Sequence, residues 1–169
     1  MKNRWMCCFL LLSVILLSAC SEEETASGLT IENYLTFGTY YGECADNCVS
    51  IYSLRPDEKQ LYIASEPQYP TYQVNDFPYG IHFVTVSEQQ YALAKDLIRH
   101  IPENLFAETS LVIGEPDVMD QGGIYVETVH RNTMHKYYID TNKDAIPKYL
   151  HAFVDEVLRT VTALREVED

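Results

Sequence analysis

Three carboxylates lie close together in a turn-rich stretch of the sequence: Glu115, Asp117 and Asp120. Paired carboxylates can exchange protons in acid–base catalysis, and carboxylate oxygens are also preferred ligands of Ca²⁺. The spacing does not follow the D-x-[DN]-x-[DN]-G pattern of an EF-hand loop. Since turns also favour aspartate and glycine, we interpret the stretch first as a turn leading into a strand. The catalytic alternative is a hydrolase or metal-dependent enzyme that uses the Glu115–Asp120 region.

Motifs of established catalytic machinery are missing from the sequence, which contains no G-x-S-x-G, no H-E-x-x-H and no glycine-rich phosphate loop. His130 and His135 could face each other across a hairpin and hold Zn²⁺ or Cu²⁺, but no third ligand is evident nearby. The sequence therefore predicts a non-enzymatic protein with no cofactor and no metal site.

Cys44 and Cys48 are separated by three residues in the segment GECADNC. A three-residue hairpin loop would place Asn47 in the left-handed conformation, which asparagine tolerates. The two cysteines would then face each other at a distance that suits a disulfide. A redox pair or a metal site is the functional alternative. Thioredoxin-like motifs use C-x-x-C, however, and two thiols are too few for structural zinc, so we predict a structural disulfide.

Aromatic residues recur in a proline-rich stretch over residues 66–80, where we expect a loop because prolines are excluded from central strands. Tyrosine-rich loops on a rigid scaffold make good recognition surfaces. This loop is therefore the best candidate for ligand binding, and the alternative is a lid that folds back over the sheet edge. The residues concerned are Tyr69, Tyr72, Phe77 and Tyr79.

The N-terminus combines Lys2 and Arg4 with an apolar stretch at residues 5–17, which is shorter than the about 20 residues of a membrane span. A basic start and a short apolar core are typical of a secretory signal. The LSAC that follows resembles a lipobox, at which bacterial lipoprotein processing lipidates the cysteine and cleaves before it. The sequence thus predicts a signal peptide over residues 1–19 and a lipid on Cys20.

The acidic run SEEE directly after Cys20 resembles the export signal of Bacteroidetes-type lipoproteins. We therefore expect a lipid-anchored outer-membrane protein exposed at the cell surface, with a periplasm-facing domain as the alternative. Residues 20–28 are polar and acidic, which predicts an extended tether. The remaining residues 29–169 are predicted to form a single domain.

The chain has 25 acidic and 12 basic residues, with a formal net charge of −13. Such a surface repels phosphate backbones, which excludes nucleic acid as a partner. The membrane is expected to hold the protein only through the lipid on Cys20. An acidic surface can also steer a basic protein partner. An inhibitor or immunity-type lipoprotein that acts on a basic partner is therefore an alternative function.

The elements that would carry these residues are mostly strands. A capping-box pair, Ser87 and Gln90, begins a helical pattern that extends to Ile101, and Pro147 begins a second amphipathic helix. Because the connections are short and strands do not alternate regularly with helices, we expect an α+β fold, an antiparallel sheet with both amphipathic helices packed on one face. Strand-like runs cover residues 34–43, 49–54, 60–65, 81–86, 109–114, 123–129 and 135–140.

Several of these segments together resemble a group of small Bacteroidetes-type lipoproteins with domains of unknown function. They are FGTYYGE with the cysteines that follow it, DQGGIY, and YYID with IPKYLHAFVDEV. The resemblance spans about residues 29–164 and implies no particular activity. We therefore expect a lipid-anchored, non-enzymatic module that acts through contacts with a protein or a ligand.

Overall fold

The described part of the chain is a mixed α+β structure. A computed structural model describes residues 34–72 and 82–168. Within them, a seven-stranded, mostly antiparallel open sheet is accompanied by two α-helices, so the predicted α+β class is confirmed. Cys20, the predicted signal and tether, Phe77 and Tyr79 lie outside the described residues.

The strands agree with the predicted runs to within a few residues, except that the run at 109–114 gives only a two-residue strand. In chain order they are β1 (Leu35–Tyr40), β2 (Val49–Arg55), β3 (Gln60–Ala64), β4 (Phe83–Thr85), β5 (Val112–Ile113), β6 (Gly123–His130) and β7 (Thr133–Asp140). Their order across the sheet is β4-β3-β2-β1-β6-β7-β5, with β1 and β6 paired near the centre.

The edge strand β5 corrects the expectation of a purely antiparallel sheet, because it pairs in parallel with β7. Strand β6 lies between β1 and β7 and so has no free edge to offer. The chain reverses once between β5 and β6 and again between β6 and β7. Strand β7 therefore runs in the direction of β5, and its open edge can accept β5 only in parallel.

The first helix, α1 (Glu88–Ala94), is shorter than predicted. Ser87 and Gln90 form the expected capping box, with each side chain bonded to the other residue's backbone N–H. Beyond α1 the chain tightens into a 3₁₀ turn at Leu97–His100 and becomes extended at Ile101. The residue before a proline is disfavoured in the α region, which accounts for the extended Ile101. Leu93 lies within α1 and is 38% exposed.

The second helix, α2 (His151–Glu168), begins after a 3₁₀ turn at Lys148–Leu150 and is amphipathic as predicted, with one apolar stripe buried. The stripe packs in one core cluster with Ala94 of α1 and with the side chains that β1 directs to the same face, Leu35 and Phe37. Each large apolar side chain buried in this way contributes about 1.5–3 kcal/mol. The buried stripe residues are Leu150, Phe153, Val154, Val157, Val161 and Leu164.

The opposite face of the sheet carries a second, smaller core cluster rich in tyrosine. Since side chains alternate along a strand, Tyr40 points away from the helices when Phe37 points towards them. Tyr40 packs directly over Gly123 of the neighbouring strand, where an added Cβ would lie 2.2 Å from its ring. The cluster consists of Tyr40, Ile51, Ala64, Tyr125 and Tyr138.

Candidate functional site

The described part of the aromatic loop packs against the tyrosine cluster. The Tyr69 ring meets the Tyr40 ring edge-on at 5.5 Å, and the Tyr72 ring meets the Tyr138 ring edge-on at 5.0 Å. The hydroxyls of Tyr69 and Tyr72 lie 3.3 Å apart, and Tyr72 also donates to the carbonyl of Pro116 at 3.2 Å. Tyr69 nevertheless remains 42% exposed. The loop therefore covers part of the sheet and also presents an aromatic ring to solvent.

The carboxylate of Asp117 joins three parts of the chain. It accepts hydrogen bonds from the backbone N–H of Gly42, from the Tyr69 hydroxyl at 2.9 Å and from the N–H of Gly122 at 2.8 Å. Asp117 also has a left-handed backbone with φ 62°. Its oxygens thus fasten the turn at residues 115–122 to the aromatic loop and to the end of β1.

The other two predicted carboxylates do not share these contacts. The side chains of Glu115 and Asp120 are exposed, and Asp120 has a left-handed backbone with φ 58°. The backbone N–H of Glu115 donates to Asp140 at 2.9 Å. Among residues 34–72 and 82–168, no group of three His, Cys, Asp or Glu side chains could hold a metal ion.

Asp140, which sequence reasoning did not single out, is 1% exposed and organises the base of the same turn. Its carboxylate accepts from the N–H groups of Glu115 and Asn142 at 2.9 and 2.7 Å, and from the Gln121 amide at 3.3 Å. The only sequence signal was an aspartate at the end of a strand, two residues before an asparagine. The turn is thus held by two carboxylates, the buried Asp140 and the half-buried Asp117.

The hydroxyls of Tyr40 and Tyr69 are protonated at neutral pH. Burial is the main cause that raises the pKa of Tyr69 above its ordinary value, and hydrogen bonds with Tyr72 and Asp117 raise it further. Burial likewise raises the pKa of Tyr40, again with a contribution from Tyr72. A phenol that stays protonated at neutral pH does not act as a base there.

Cys44 and Cys48 are joined by a disulfide across the β1–β2 connection, with their Cα atoms 5.6 Å apart. Asn47 has the expected left-handed backbone, with φ 53°. The N–H of Tyr41 donates to the Cys48 carbonyl at 2.9 Å and closes the loop. The disulfide hairpin, residues 41–49, is thus a short constrained projection at the end of the sheet.

A cleft of about 780 Å³ lies where the disulfide hairpin, the chain after β3 and the last turn of α2 meet. Tyr69 contributes to its wall, which links the aromatic loop to this cavity, whereas the acidic residues 115, 117 and 120 do not line it. The lining residues with polar side chains or ring faces include Tyr41, Asn47, Ser50, Ser65, Tyr69 and Arg165.

Arg165 lines the cleft and was not singled out in the sequence. Its Nε donates to the Ser50 hydroxyl at 3.0 Å, and its Nη2 donates to the Thr39 hydroxyl at 3.2 Å and the Asn47 carbonyl at 3.4 Å. Arg165 follows Val161 by four residues and therefore lies at the edge of the buried stripe of α2. This helical spacing is the one sequence signal that could have marked Arg165 as a residue near the sheet.

The two hairpin histidines lie on the same face of the sheet but are diagonal neighbours, with ring centroids 6.3 Å apart. The His130 ring stacks on Phe106 at 3.9 Å, and its Nε2 lies 3.6 Å from Glu103. Burial, followed by repulsion from His130, lowers the pKa of His135. These contacts make the pair part of a small aromatic cluster.

Of the helices in the described residues, none combines the length and hydropathy required to cross a bilayer. Comparison of the chain with models of protein families, with curated proteins and with solved structures finds no match.

Proposed function

We propose that this protein is a lipid-anchored module of the cell envelope that binds a ligand or partner in the cleft beside the disulfide hairpin. The observation that carries the proposal is the cleft itself, about 780 Å³ in volume and walled by a disulfide-constrained hairpin and an exposed tyrosine. Concave sites with a few polar groups on a rigid scaffold are typical of ligand binding.

The membrane attachment in this proposal rests on the sequence LSAC and on the acidic run that follows it. A lipid on Cys20 would hold residues 29–169, as one domain, at the outer membrane, and SEEE favours the cell surface. Three acyl chains bury many CH₂ groups at about 0.8 kcal/mol each, which would suffice for stable anchoring.

A non-enzymatic role is supported by the arrangement of the acidic turn. Each hydrogen bond that Asp117 accepts helps to join chain segments, and Glu115 and Asp120 are exposed and do not line the cleft. A carboxylate that bonds three protein donors is poorly placed to exchange protons with a substrate. The hydrolase alternative is therefore less favoured.

An inhibitory or immunity-type role remains the second candidate, favoured by the net charge of −13. A basic protein would be attracted by this charge, and its complex would weaken steeply as salt is added.

Photocrosslinking on intact cells tests the binding site. A photoreactive amino acid at position 69 should give discrete adducts, and the same residue at position 162, exposed on the outer side of α2, serves as the control. Equal adducts at both positions, or none at position 69, would contradict a binding site in the cleft.

Metabolic labelling with a fatty-acid analogue tests the anchor. The wild type should incorporate label and fractionate with membranes, and Cys20→Ala should lose both properties. Cys44→Ala is the matched control and should keep the label. Label retained in Cys20→Ala would remove the lipid-anchored part of the proposal.

A further inference from the structure

Arg165 differs from three other arginines of the described chain in the kind of group that accepts its hydrogen bonds. Arg99, Arg131 and Arg159 each lie within salt-bridge distance of a carboxylate. The three acceptors that contact Arg165 are two hydroxyls and one backbone carbonyl. In a chain with 25 acidic and 12 basic residues, a guanidinium held by neutral acceptors is an unusual use of a positive charge.

The charge of Arg165 faces a cleft whose described lining contains no carboxylate. Within the described residues, Arg165 is the only charged side chain that lines the cleft. Because opposite charges interact more strongly in a concave, partly desolvated site than on an open surface, a bound anion would be attracted there.

The donors needed to bind an anion are already in place. The protein acceptors of Arg165 use Nε and Nη2, and within the described part of the chain Nη1 makes no hydrogen bond. Ser50 accepts from Nε, so its own O–H is free to turn towards a ligand. Three contacts fix the guanidinium before any ligand arrives, which reduces the entropy lost on binding.

The single positive charge in the described lining of the cleft favours a carboxylate over a phosphate as the bound anion. One guanidinium neutralises one monovalent carboxylate, and the two N–H groups of Nη1 can donate to its oxygens. A phosphate carries a charge of about −1.5 to −2 at neutral pH and would leave excess negative charge inside an acidic protein. The apolar lining offered by Val49, Ile63, Ala64 and Pro67 can accept the non-polar body of the same ligand.

We propose that the cleft is a carboxylate-binding site in which Arg165 and Ser50 hold the carboxylate group of an organic ligand. This inference rests on the proposed role of the cleft as the binding site, and it adds the chemical class of the ligand. Tyr69 would contact the body of that ligand through its exposed ring.

The test is an NMR titration of the full-length chain in neutral detergent micelles at constant ionic strength, with sodium benzoate as the probe. Benzamide has nearly the same shape but no charge, and inorganic phosphate is the third probe. We expect benzoate to shift the Arg165 Nε–Hε signal and the amide signals of residues 47–50 and 65 in a saturable manner. Benzamide and phosphate should produce much smaller shifts at the same concentrations.

Variants assign the effect to the guanidinium. Arg165→Met should weaken benzoate binding about tenfold or more, because a charge-assisted hydrogen bond is lost. Arg159→Met is the matched control on the same helix, and it should bind like the wild type because Arg159 faces Glu156 instead of the cleft. If Arg165→Met does not fold, the wild-type Arg165 Nε–Hε signal still decides the assignment.

Each other outcome overturns a defined part of the inference. Equal saturable shifts with benzamide would keep the cleft as a binding site but remove its preference for carboxylates. Equal or tighter binding of phosphate would make it a general oxyanion site. The absence of saturable shifts with every probe, or full benzoate binding by a folded Arg165→Met, would reject the assignment to Arg165. Failure of crosslinking at position 69 would instead count against the cleft itself.

Discussion

At the scale of single residues, the clearest lesson comes from Asp117. The sequence presents it as one of three acidic neighbours with catalytic potential, whereas the structure commits its carboxylate to Gly42, Tyr69 and Gly122. Those donors lie 75, 48 and 5 positions away in the chain. This aspartate therefore holds distant segments of the chain together by hydrogen bonds, a role that the residues next to it in the sequence do not indicate.

Removal of the disulfide should cause a modest loss of stability. Closing a loop as short as that between Cys44 and Cys48 removes little entropy from the unfolded chain, about 1–2 kcal/mol in the chain-entropy relation. The double variant Cys44→Ala/Cys48→Ala should fold and melt a few degrees below the wild type.

Thermal unfolding, followed by circular dichroism, measures this difference, and the wild type in reducing agent is the control. A catalytic redox pair would give a different result, namely unchanged melting together with the loss of a thiol-exchange activity. Two titratable thiols in the folded, unreduced protein would contradict the disulfide.

The histidine pair makes stability depend on pH. Burial and repulsion from His130 lower the pKa of His135 in the folded state. The unfolded chain therefore takes up a proton near the ordinary histidine value of about 6.5, whereas the folded chain does so only at lower pH. The unfolded state binds more protons in that window, so stability is full above about pH 6.5 and falls as the pH decreases.

An NMR titration of the histidine rings measures the shift directly. In the wild type, the pKa of His135 should lie below the ordinary value. His130→Gln keeps most of the burial but removes the repulsion, so it should bring the pKa of His135 part of the way back. A wild-type pKa at or above the ordinary value would contradict this account.

At the scale of elements, the pairing of β1 with β6 explains why position 123 is occupied by a glycine. A Cβ at this position would lie 2.2 Å from the Tyr40 ring. That ring is fully buried and packs against Tyr69, Tyr72 and Tyr138, so it has little room to shift. A strand glycine that is costly in conformational entropy is retained here because an aromatic ring occupies its side-chain space.

Gly123→Ala should consequently destabilise the protein by about 1–3 kcal/mol through overpacking. This exceeds the about 0.4–1 kcal/mol that alanine would contribute by restricting the unfolded chain. Chemical denaturation measures the change in the free energy of unfolding.

Tyr40→Leu is the background that tests the mechanism, because it opens space next to position 123. The cost of Gly123→Ala should be smaller in that background, a non-additivity expected for residues in contact. An equal cost in both backgrounds would show that the Tyr40 ring is not the cause.

At the scale of the whole molecule, the fold places one positively charged side chain, Arg165, in a cleft of a protein with negative net charge. The chain has a net charge of −13, whereas Arg165 lies near the end of α2 and lines a cleft. Several other cations are neutralised by nearby carboxylates, as in the pairs Lys143–Asp155 and Arg159–Glu156. The proposed carboxylate site is thus a positive position in a protein of negative net charge.

Protease accessibility tests the location proposed for the whole chain. If SEEE directs the lipoprotein to the cell surface, protease added to intact cells should remove the domain. A periplasmic protein in the same cells is the control and should survive until the outer membrane is permeabilised. Loss of the domain only after permeabilisation would favour the periplasm-facing alternative.

Local patterns in the sequence determined most of the elements. The strand-like run of β1, the capping box at Ser87 and the amphipathic pattern of α2 each depend on residues close together in the chain, and each is present as predicted. The disulfide hairpin belongs to the same class, because three residues of loop and an asparagine that tolerates positive φ bring Cys44 and Cys48 together.

Tertiary structure alone decided the parallel pairing of β5, the role of Asp117 and the cleft with Arg165. Strand β5 is parallel because β6 has no free edge, which depends on how distant strands are ordered. Arg165 contacts Thr39 and Ser50 across separations of 126 and 115 residues. Contacts of this kind depend on how whole elements dock, and no local pattern of residue types specifies them.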